Sequence, residues 1–338
     1  MILITGATGF LGHNLIPRLA RTGQPLRALV RRSSQTARLQ EYGVELAYAD
    51  DITDIVGVTQ ACQGCQAVIH AAGHFRFWGE SGDFWRVNVV GTETVLSAAV
   101  AAGIQRFIHI STVVVVGQAK TATIDETTPC QPQDPYQESK LAAEQRVLAA
   151  WRDQGLPVIV LRPGAFYGPW GRYAFNRLFF EEPLRGWRIK VNGGRHITFP
   201  AFTPDVAQGI ELSLSGGQPG EIYNICGDPL SHNAANDIIS DLAGISRFRL
   251  PVPVSAARLL ARVMTAAAGI TGREPFYADN LAHYVFQDWP VSSAKAQAEL
   301  GFRPTPFVDG ARETLAWYWQ TGILQQGKRP LSRSGEES

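Results

Sequence analysis

Residues 135–145 read PYQESKLAAEQ, with Tyr136 four places ahead of Lys140 in a run of good helix formers. That spacing puts a phenol and an ammonium on one helix face. Such a pair is either the working end of an enzyme or a surface tyrosine lying along a lysine stem, and the pair alone does not decide. A second stretch with chemical potential opens the chain. In ITGATGFLGHNL, Gly6, Gly9 and Gly12 stand at G-x-x-G-x-x-G directly after the apolar run ILIT. Glycines there allow a tight turn and close approach of the backbone to a pyrophosphate, which then rests on the positive end of the following helix. The spacing departs from the usual G-x-G-x-x-G. Glycine suits any strand-to-helix turn, so the weight of the triplet comes from its place after the first strand. Thr8, Phe10 and Leu11 belong to the same loop and helix start and count with it as candidate cofactor contacts.

Further candidates fall at successive strand ends, where open α/β sheets bind ligands. The second strand ends LVRRSS, with Arg31 and Arg32 and no acid to accept ribose hydroxyls. Two guanidinium groups suit a 2′-phosphate, which favours NADP(H) over NAD(H). The alternative is a pair of arginines facing solvent. Asp51 and Ile52, in YADDITD, follow the third strand, where an acid can accept an adenine amine. Ala71, Ala72 and Gly73 follow the fourth, where small side chains leave room for a cofactor.

The elements that position these residues alternate. Strand patterns occur at 2–5, 25–30, 44–49, 67–72, 106–111, 157–162 and 221–226, with amphipathic segments between them. Several strands are apolar on both faces, as in a parallel sheet covered on both sides. This predicts an α/β, Rossmann-type doubly wound parallel sheet with a smaller C-terminal part. The expected division is a cofactor domain at 1–165, to which 201–226 return, a substrate-binding part at 166–200 and 227–325, and a disordered tail at 326–338. Pro17, inside the first helix, predicts a kink.

The chain has 338 residues, 45% apolar and 18% charged, with net charge +1, so no nucleic-acid partner is expected. No targeting segment and no uncharged run of membrane-spanning length is read. The most apolar stretch, 252–270, carries Arg258 and Arg262 and reads as an amphipathic helix packed on the protein. CQGC at 62–65 lacks two further ligands for zinc and reads as a helix end turning at Gly64; no metal is expected, and a cytoplasmic, reduced setting follows.

TGATGFLG, Asp51, HAAG, IST at 110–112, YQESK and LRPGAFYGP together resemble the extended short-chain dehydrogenase/reductase superfamily. The branch is that of NAD-dependent epimerases/dehydratases, dihydroflavonol-reductase-like and 3β-hydroxysteroid-dehydrogenase-like enzymes. The resemblance covers about residues 1–226, and VSSAKAQAELGFRPTPFVDGARETLAWY matches the branch's closing segment. It implies Tyr136 as general acid in reduction and general base in oxidation, with Lys140 lowering the phenol's pKa and holding the nicotinamide ribose. A free tyrosine titrates near ~10, so about three units must come from Lys140 and the cofactor. Thr112 would donate to the substrate oxygen, with Ser111 as fallback. Asn88 would help hold the cofactor site, Pro163 would border the nicotinamide, and a homodimer would form through two helices, about 91–102 and 138–152.

The substrate is less constrained. Phe75, Phe77, Trp78, Phe84 and Trp85 offer one aromatic wall; Phe166, Tyr167, Trp170, Tyr173 and Phe175 offer another. The alternative is an aromatic core under long loops. Nucleotide-sugar enzymes of the superfamily usually carry an asparagine where this chain has Ala165, although Arg172, Arg177, Arg185 and Arg188 remain available to phosphates. The expected reaction is hydride transfer between NADP(H) and a hydrophobic ketone or secondary alcohol. A nucleotide-sugar epimerase or dehydratase is the alternative, and a non-enzymatic cofactor-sensing protein is a third reading.

Overall fold

Short β-branched runs buried on both faces assemble into one parallel sheet of seven strands. They are β1 (Ile2–Thr5), β2 (Leu26–Val30), β3 (Glu45–Tyr48), β4 (Ala67–His70), β5 (Arg106–Ile110), β6 (Val158–Pro163) and a last strand at Ile222–Ile225. The computed structural model describes residues 1–118 and 121–325; the tail at 326–338 lies outside the described residues. The strand order is Ile222–Ile225, β6, β5, β4, β1, β2, β3, and every neighbouring pair is parallel. All residues of β1, β4 and β6 are buried, as a sheet with two covered faces requires. The order reverses beside β1, so a crevice opens between the carboxyl ends of β1 and β4.

Helices α1 (Phe10–Ala20), α2 (Ala37–Glu41), α3 (Ile55–Cys62), α4 (Ser81–Trp85), α5 (Gly91–Ala101) and α6 (Pro135–Gln154) connect the strands. One core lies between the sheet and α1 with the helix Thr203–Ser215, built on Leu15, Leu19, Ile108, Val206 and Ile210. The other lies under α3, α5 and α6, around Val58, Val95, Phe107 and Val147. Ala296, Leu300 and Phe302, late in the chain, also pack into the first core.

Helix α1 runs unbroken through Pro17. Proline has no N–H to give the carbonyl four residues back, which is that of His13. The Arg38 guanidinium donates to that carbonyl instead, at 3.4 Å. Its plane also lies over the Trp170 ring at 4.1 Å, and His13 stacks on the same ring at 4.5 Å. CQGC is the end of α3, a turn at Gly64 with φ of +73°, and the approach to β4. No metal-binding cluster occurs among the described residues.

Beyond β6, the helices His232–Ala243 and Phe307–Gln320 enclose an aromatic cluster of Tyr167, Phe175, Phe180, Phe202 and Tyr318. The helix Val254–Thr271 differs from the pattern expected for a packed helix. Only Ala261 and Ala268 are buried, while Leu259, Val263 and Ile270 face solvent. By length and composition alone it is the one described helix that is long and apolar enough to cross a membrane.

Candidate active site

A cavity of about 660 Å³ runs across the carboxyl ends of the strands. At one end the turn after β1 places Gly6, Thr8, Gly9, Phe10 and Leu11 along its wall. Gly6 has a φ of +74°, and a Cβ there would sit 2.8 Å from the Ala71 carbonyl and the Ala72 nitrogen. Only glycine fits that approach. Gly9 caps α1 without a side-chain acceptor, so the first N–H groups of the helix lack a side-chain cap at the cavity rim. That donor set and its cradle fit a dinucleotide pyrophosphate. Gly12 does not reach the cavity. It lets α1 lie on the loop, since a Cβ would meet the Ala7 carbonyl oxygen at 2.0 Å.

Arg31 and Ser34 line the wall beyond β2, and the Ser34 hydroxyl accepts from the Arg31 backbone N–H at 3.2 Å. Arg32 turns away and lies over the Tyr48 ring at 5.8 Å. Asp51 and Ile52 both line the cavity. Asp51 accepts from the Thr53 hydroxyl and backbone N–H, at 2.6 and 2.7 Å, and pairs with Arg86. Those bonds, from Thr53 first, hold its carboxyl below the usual range. Ile52 reaches over α5 because Gly91 has no Cβ, which would lie 2.5 Å from the isoleucine Cγ2.

Ala71, Ala72 and Gly73 form the middle of the wall. A hydrogen-bond chain fixes them. The Ala72 N–H donates to Thr5 Oγ1 (3.1 Å), Thr5 meets His70 Nδ1 (2.8 Å), and His70 Nε2 meets Thr92 Oγ1 (2.9 Å). Thr92 donates onward to the Asn88 carbonyl at 2.6 Å. Because the Thr92 hydroxyl is committed to Asn88, the direction of the chain puts a proton on His70 Nε2. Burial, aided by the charge of Lys140, lowers His70 from its ordinary 6.5 to about 3.

Asn88 sits in a π-turn, Arg86–Val90, between α4 and α5. Its side chain accepts from the His74 N–H (2.7 Å) and donates to the His74 carbonyl (3.0 Å) and to Ser139 Oγ (2.9 Å). Ser139 bonds to the Tyr136 carbonyl. Asn88 thus ties the loop after β4 to α6 from behind the cavity wall rather than lining it.

The floor is made by β5 and α6. Asp134 caps α6 by accepting from the Gln137 N–H, and Pro135 occupies the first turn. Tyr136 and Thr112 both line the cavity, the threonine near enough to draw the phenol's pKa down. Lys140 lies just beneath, buried, its ammonium donating to the Ile110 carbonyl at 2.6 Å. Burial lowers Lys140 to about 8, opposed by Glu144. The phenol of Tyr136 is driven upward by burial and then by Asp134, and Thr112 alone pulls it down. Ser111 points the other way, as strand alternation requires, and donates to Glu144 at 2.7 Å. Glu144 is held in a buried pair with Arg162 at 2.5 Å.

Pro163, Gly164, Ala165 and Phe166 carry the wall past β6. Of the predicted substrate residues, Phe75 lies with its ring centre 4.7 Å from that of Tyr136, and Phe166 packs edge-on against Phe10. Phe77, Tyr173 and Phe175 also line the cavity. Two of the expected positions are corrected. Tyr167 is wholly buried in the aromatic cluster against Phe202 and Phe307, because β6 continues into a short strand that turns its ring inward. Trp78 stands outside the cavity lining, one residue past Phe77 on the loop. Trp85 and Trp170 are partly exposed and stand outside the cavity lining, and Phe84 packs edge-on against Tyr136. The pattern missed His232, Leu281, Tyr284 and Val285, which reach the cavity from distant segments. Tyr284 donates to Asp134 at 2.6 Å, and burial lowers His232 to about 4.

The family model described as "NAD dependent epimerase/dehydratase family" matches residues 2–226. The chain belongs to that family. It is an extended short-chain dehydrogenase/reductase, an NAD(P)-dependent enzyme with a Rossmann-type sheet. It is similar to a 4-hydroxy-2-methyl-3-oxo-4-farnesyl-3,4-dihydroquinoline-1-oxide ketoreductase of Stigmatella aurantiaca, at 30% identity over 97% of this chain and 98% of that one. It is also similar to sterol demethylase protein B of Methylococcus capsulatus, at 28% identity over 95% and 99%. Among solved structures, a double mutant of DesIV, the dTDP-glucose 4,6-dehydratase of Streptomyces venezuelae with NAD and DAU bound, superposes with a TM-score of 0.78. Its identity is 26% over 96% of this chain and 99% of that one.

Proposed function

We propose that the protein is an NADP(H)-dependent ketoreductase, moving a hydride between cofactor and a hydrophobic ketone or secondary alcohol. The observation that carries the reading is the meeting of Tyr136 and Thr112 on the floor of the cavity that the Gly6–Gly9 loop opens. Bound cofactor would supply or take up the hydride. Gly6, Thr8, Gly9, Phe10 and Leu11 would hold its pyrophosphate, Asp51 and Ile52 its adenine, and Ala71, Ala72, Gly73 and Pro163 its remaining length. Asn88 and Gly12 would support that site without touching it. Residues 1–165 with 201–226 would form the cofactor domain, and 166–200 with 227–325 the substrate part.

Tyr136 would give its proton to the carbonyl oxygen as negative charge develops there, while Thr112 donates a second hydrogen bond and fixes the carbon. A phenol pushed upward by burial is held protonated, which suits reduction. Lys140, lowered to about 8 by burial, stands one helical turn beyond that tyrosine and would add its charge to the cofactor end of the site. Arg31 and Ser34 at the end of β2, where no acid stands, support NADP(H) over NAD(H). A homodimer through α5 and α6 fits the small side chains along both helices.

A nucleotide-sugar epimerase or dehydratase is the second reading, supported by the likeness to DesIV. Against it, three of the four arginines offered for its phosphates are already paired: Arg172 and Arg185 to Glu181, and Arg177 to Glu182. The third reading, a cofactor-sensing binding protein, is disfavoured by the intact tyrosine, threonine and lysine. The deciding experiment incubates the protein with NADPH or NADH and a panel of ketones, aldehydes and dTDP- and UDP-sugars. A reductase consumes NADPH mole for mole with an apolar ketone; conversion of a nucleotide sugar with no net cofactor change would overturn the reading.

A further inference from the structure

We propose that the helix Val254–Thr271 docks the enzyme on an anionic lipid surface, lying flat in the plane of the membrane. Ala261 and Ala268, seven residues apart, are the side of the helix held against the protein. At 100° per residue the opposite side carries Leu259, Val263 and Ile270, exposed to 65%, 59% and 90%, with Leu260 beside them at 50%. This amphipathic helix therefore shows its apolar stripe to the outside, the reverse of a surface helix on a soluble core. Further exposed apolar residues stand just ahead of the helix in the chain. The Leu250 N–H donates to the Arg188 carbonyl, which sets Phe248 and Leu250 beside Trp187, and Phe248 and Trp187 are each 71% exposed. Aromatic rings at the rim of an apolar face suit the headgroup level of a bilayer.

Charge selects the occupant. Between Asp241 and Glu274 there are five arginines, Arg247, Arg249, Arg258, Arg262 and Arg273, and no acidic residue, in a chain of net charge +1. Arg249 is buried, Arg247 pairs with Asp241, and Arg262 lies 3.9 Å from Asp279. Arg258 and Arg273 have no carboxylate partner among the described residues. A second copy meeting this face by two-fold symmetry would bring like charges together. Anionic headgroups complement them, and a stripe of leucine, valine and isoleucine flanked by arginine matches an interfacial helix. Spanning the bilayer would carry Arg258 and Arg262 into hydrocarbon and strip Ala261 and Ala268 from the protein.

The position has a use. The Asp279 N–H donates to Thr265 Oγ1 at 2.9 Å, hooking the helix to the segment whose Leu281, Tyr284 and Val285 line the cavity. Docked this way, the enzyme takes an apolar ketone from the lipid phase; this last step rests on the ketoreductase reading, whereas the docking itself does not.

The test is co-sedimentation of the full-length protein with phosphatidylcholine vesicles, with and without phosphatidylglycerol. The wild type should bind the anionic vesicles about tenfold more tightly than neutral ones, and lose that excess at high salt. The triple change Leu259→Ser, Val263→Ser, Ile270→Ser should abolish binding to both, with circular dichroism and NADPH binding unchanged. Arg258→Glu, which leaves the apolar stripe intact, should lower only the anionic preference. Equal vesicle binding by the triple variant and the wild type would overturn the proposal. So would a wild-type dimer that fails to sediment and that the triple change splits into monomers, which assigns the face to a second copy. Vesicle binding is read without turnover, so loss of docking and failure of the ketoreductase reading are seen separately.

Discussion

The two ends of the cavity are made of different material. The end under β1 and β4 is backbone and small side chains at steric contact: Gly6 against Ala71, where a Cβ would come within 2.8 Å, and Gly91 under Ile52, where one would come within 2.5 Å. The end beyond β6 is aromatic rings on loops, Phe75, Phe77, Tyr173 and Tyr284, meeting edge to face. The first has no slack and can hold one shape of ligand; the second can repack around many. The contrast explains how one fold keeps its cofactor while its substrates diverge.

Each prediction presses on that contrast. Tyr136→Phe removes the proposed proton donor where the two ends meet, and should lower kcat by about two to four orders of magnitude while NADPH affinity stays within about twofold. Activity surviving in that variant would remove the proposed mechanism. Gly6→Val puts a branched side chain into a left-handed position against backbone. It should weaken NADPH binding by about 1–3 kcal/mol, roughly fivefold to 150-fold, in a fluorescence titration. Phe77→Leu, at the adaptable end, should reduce kcat/KM for a bulky aromatic ketone by about tenfold and leave a small ketone nearly untouched. A larger loss than from Gly6→Val would reverse the ranking of the two ends.

The smallest effect concerns pH. His70 is neutral in the fold with a value near 3 against an ordinary 6.5, so between those values the unfolded chain binds the extra proton. Its contribution is complete above pH 6.5 and is lost progressively down to about 3, with a slope of at most about 1.4 kcal/mol per pH unit. Denaturant midpoints at pH 7, 6 and 5 should fall less steeply for His70→Gln, whose amide can bridge Thr5 and Thr92 without titrating.

Much of the rigid end was legible from sequence. The seven strands lie where β-branched runs stood, and the glycine loop, Asp51, Ala71, Thr112 and Tyr136 all reach the cavity, because strand ends leave few directions for a side chain. Gly12, Arg32 and Asn88 were legible as part of the site but not in their manner of acting. Gly12 and Asn88 support the wall from behind, and Arg32 sits in a turn, closed by the Ser34 N–H on the Arg31 carbonyl, that aims it away from the cavity. The adaptable end was legible only as aromatic. Nothing in residue type separates Tyr167, a core ring, from Phe166, a wall ring one residue earlier, and His232 and Tyr284 arrive from segments far away in the chain. The apolar helix 254–271 has the periodicity of a packed helix; which side meets the body depends on its neighbours, which periodicity does not encode.

Arg38 holds a practical lesson for anyone wishing to switch the coenzyme preference. It follows the basic pair after β2 and invites replacement along with them. Yet its guanidinium answers the His13 carbonyl left open by Pro17 and roofs the Trp170 ring, so it is a splint for α1 and for the chain leaving β6. Redesign of nucleotide selectivity would do best to begin at Arg31 and leave that splint in place.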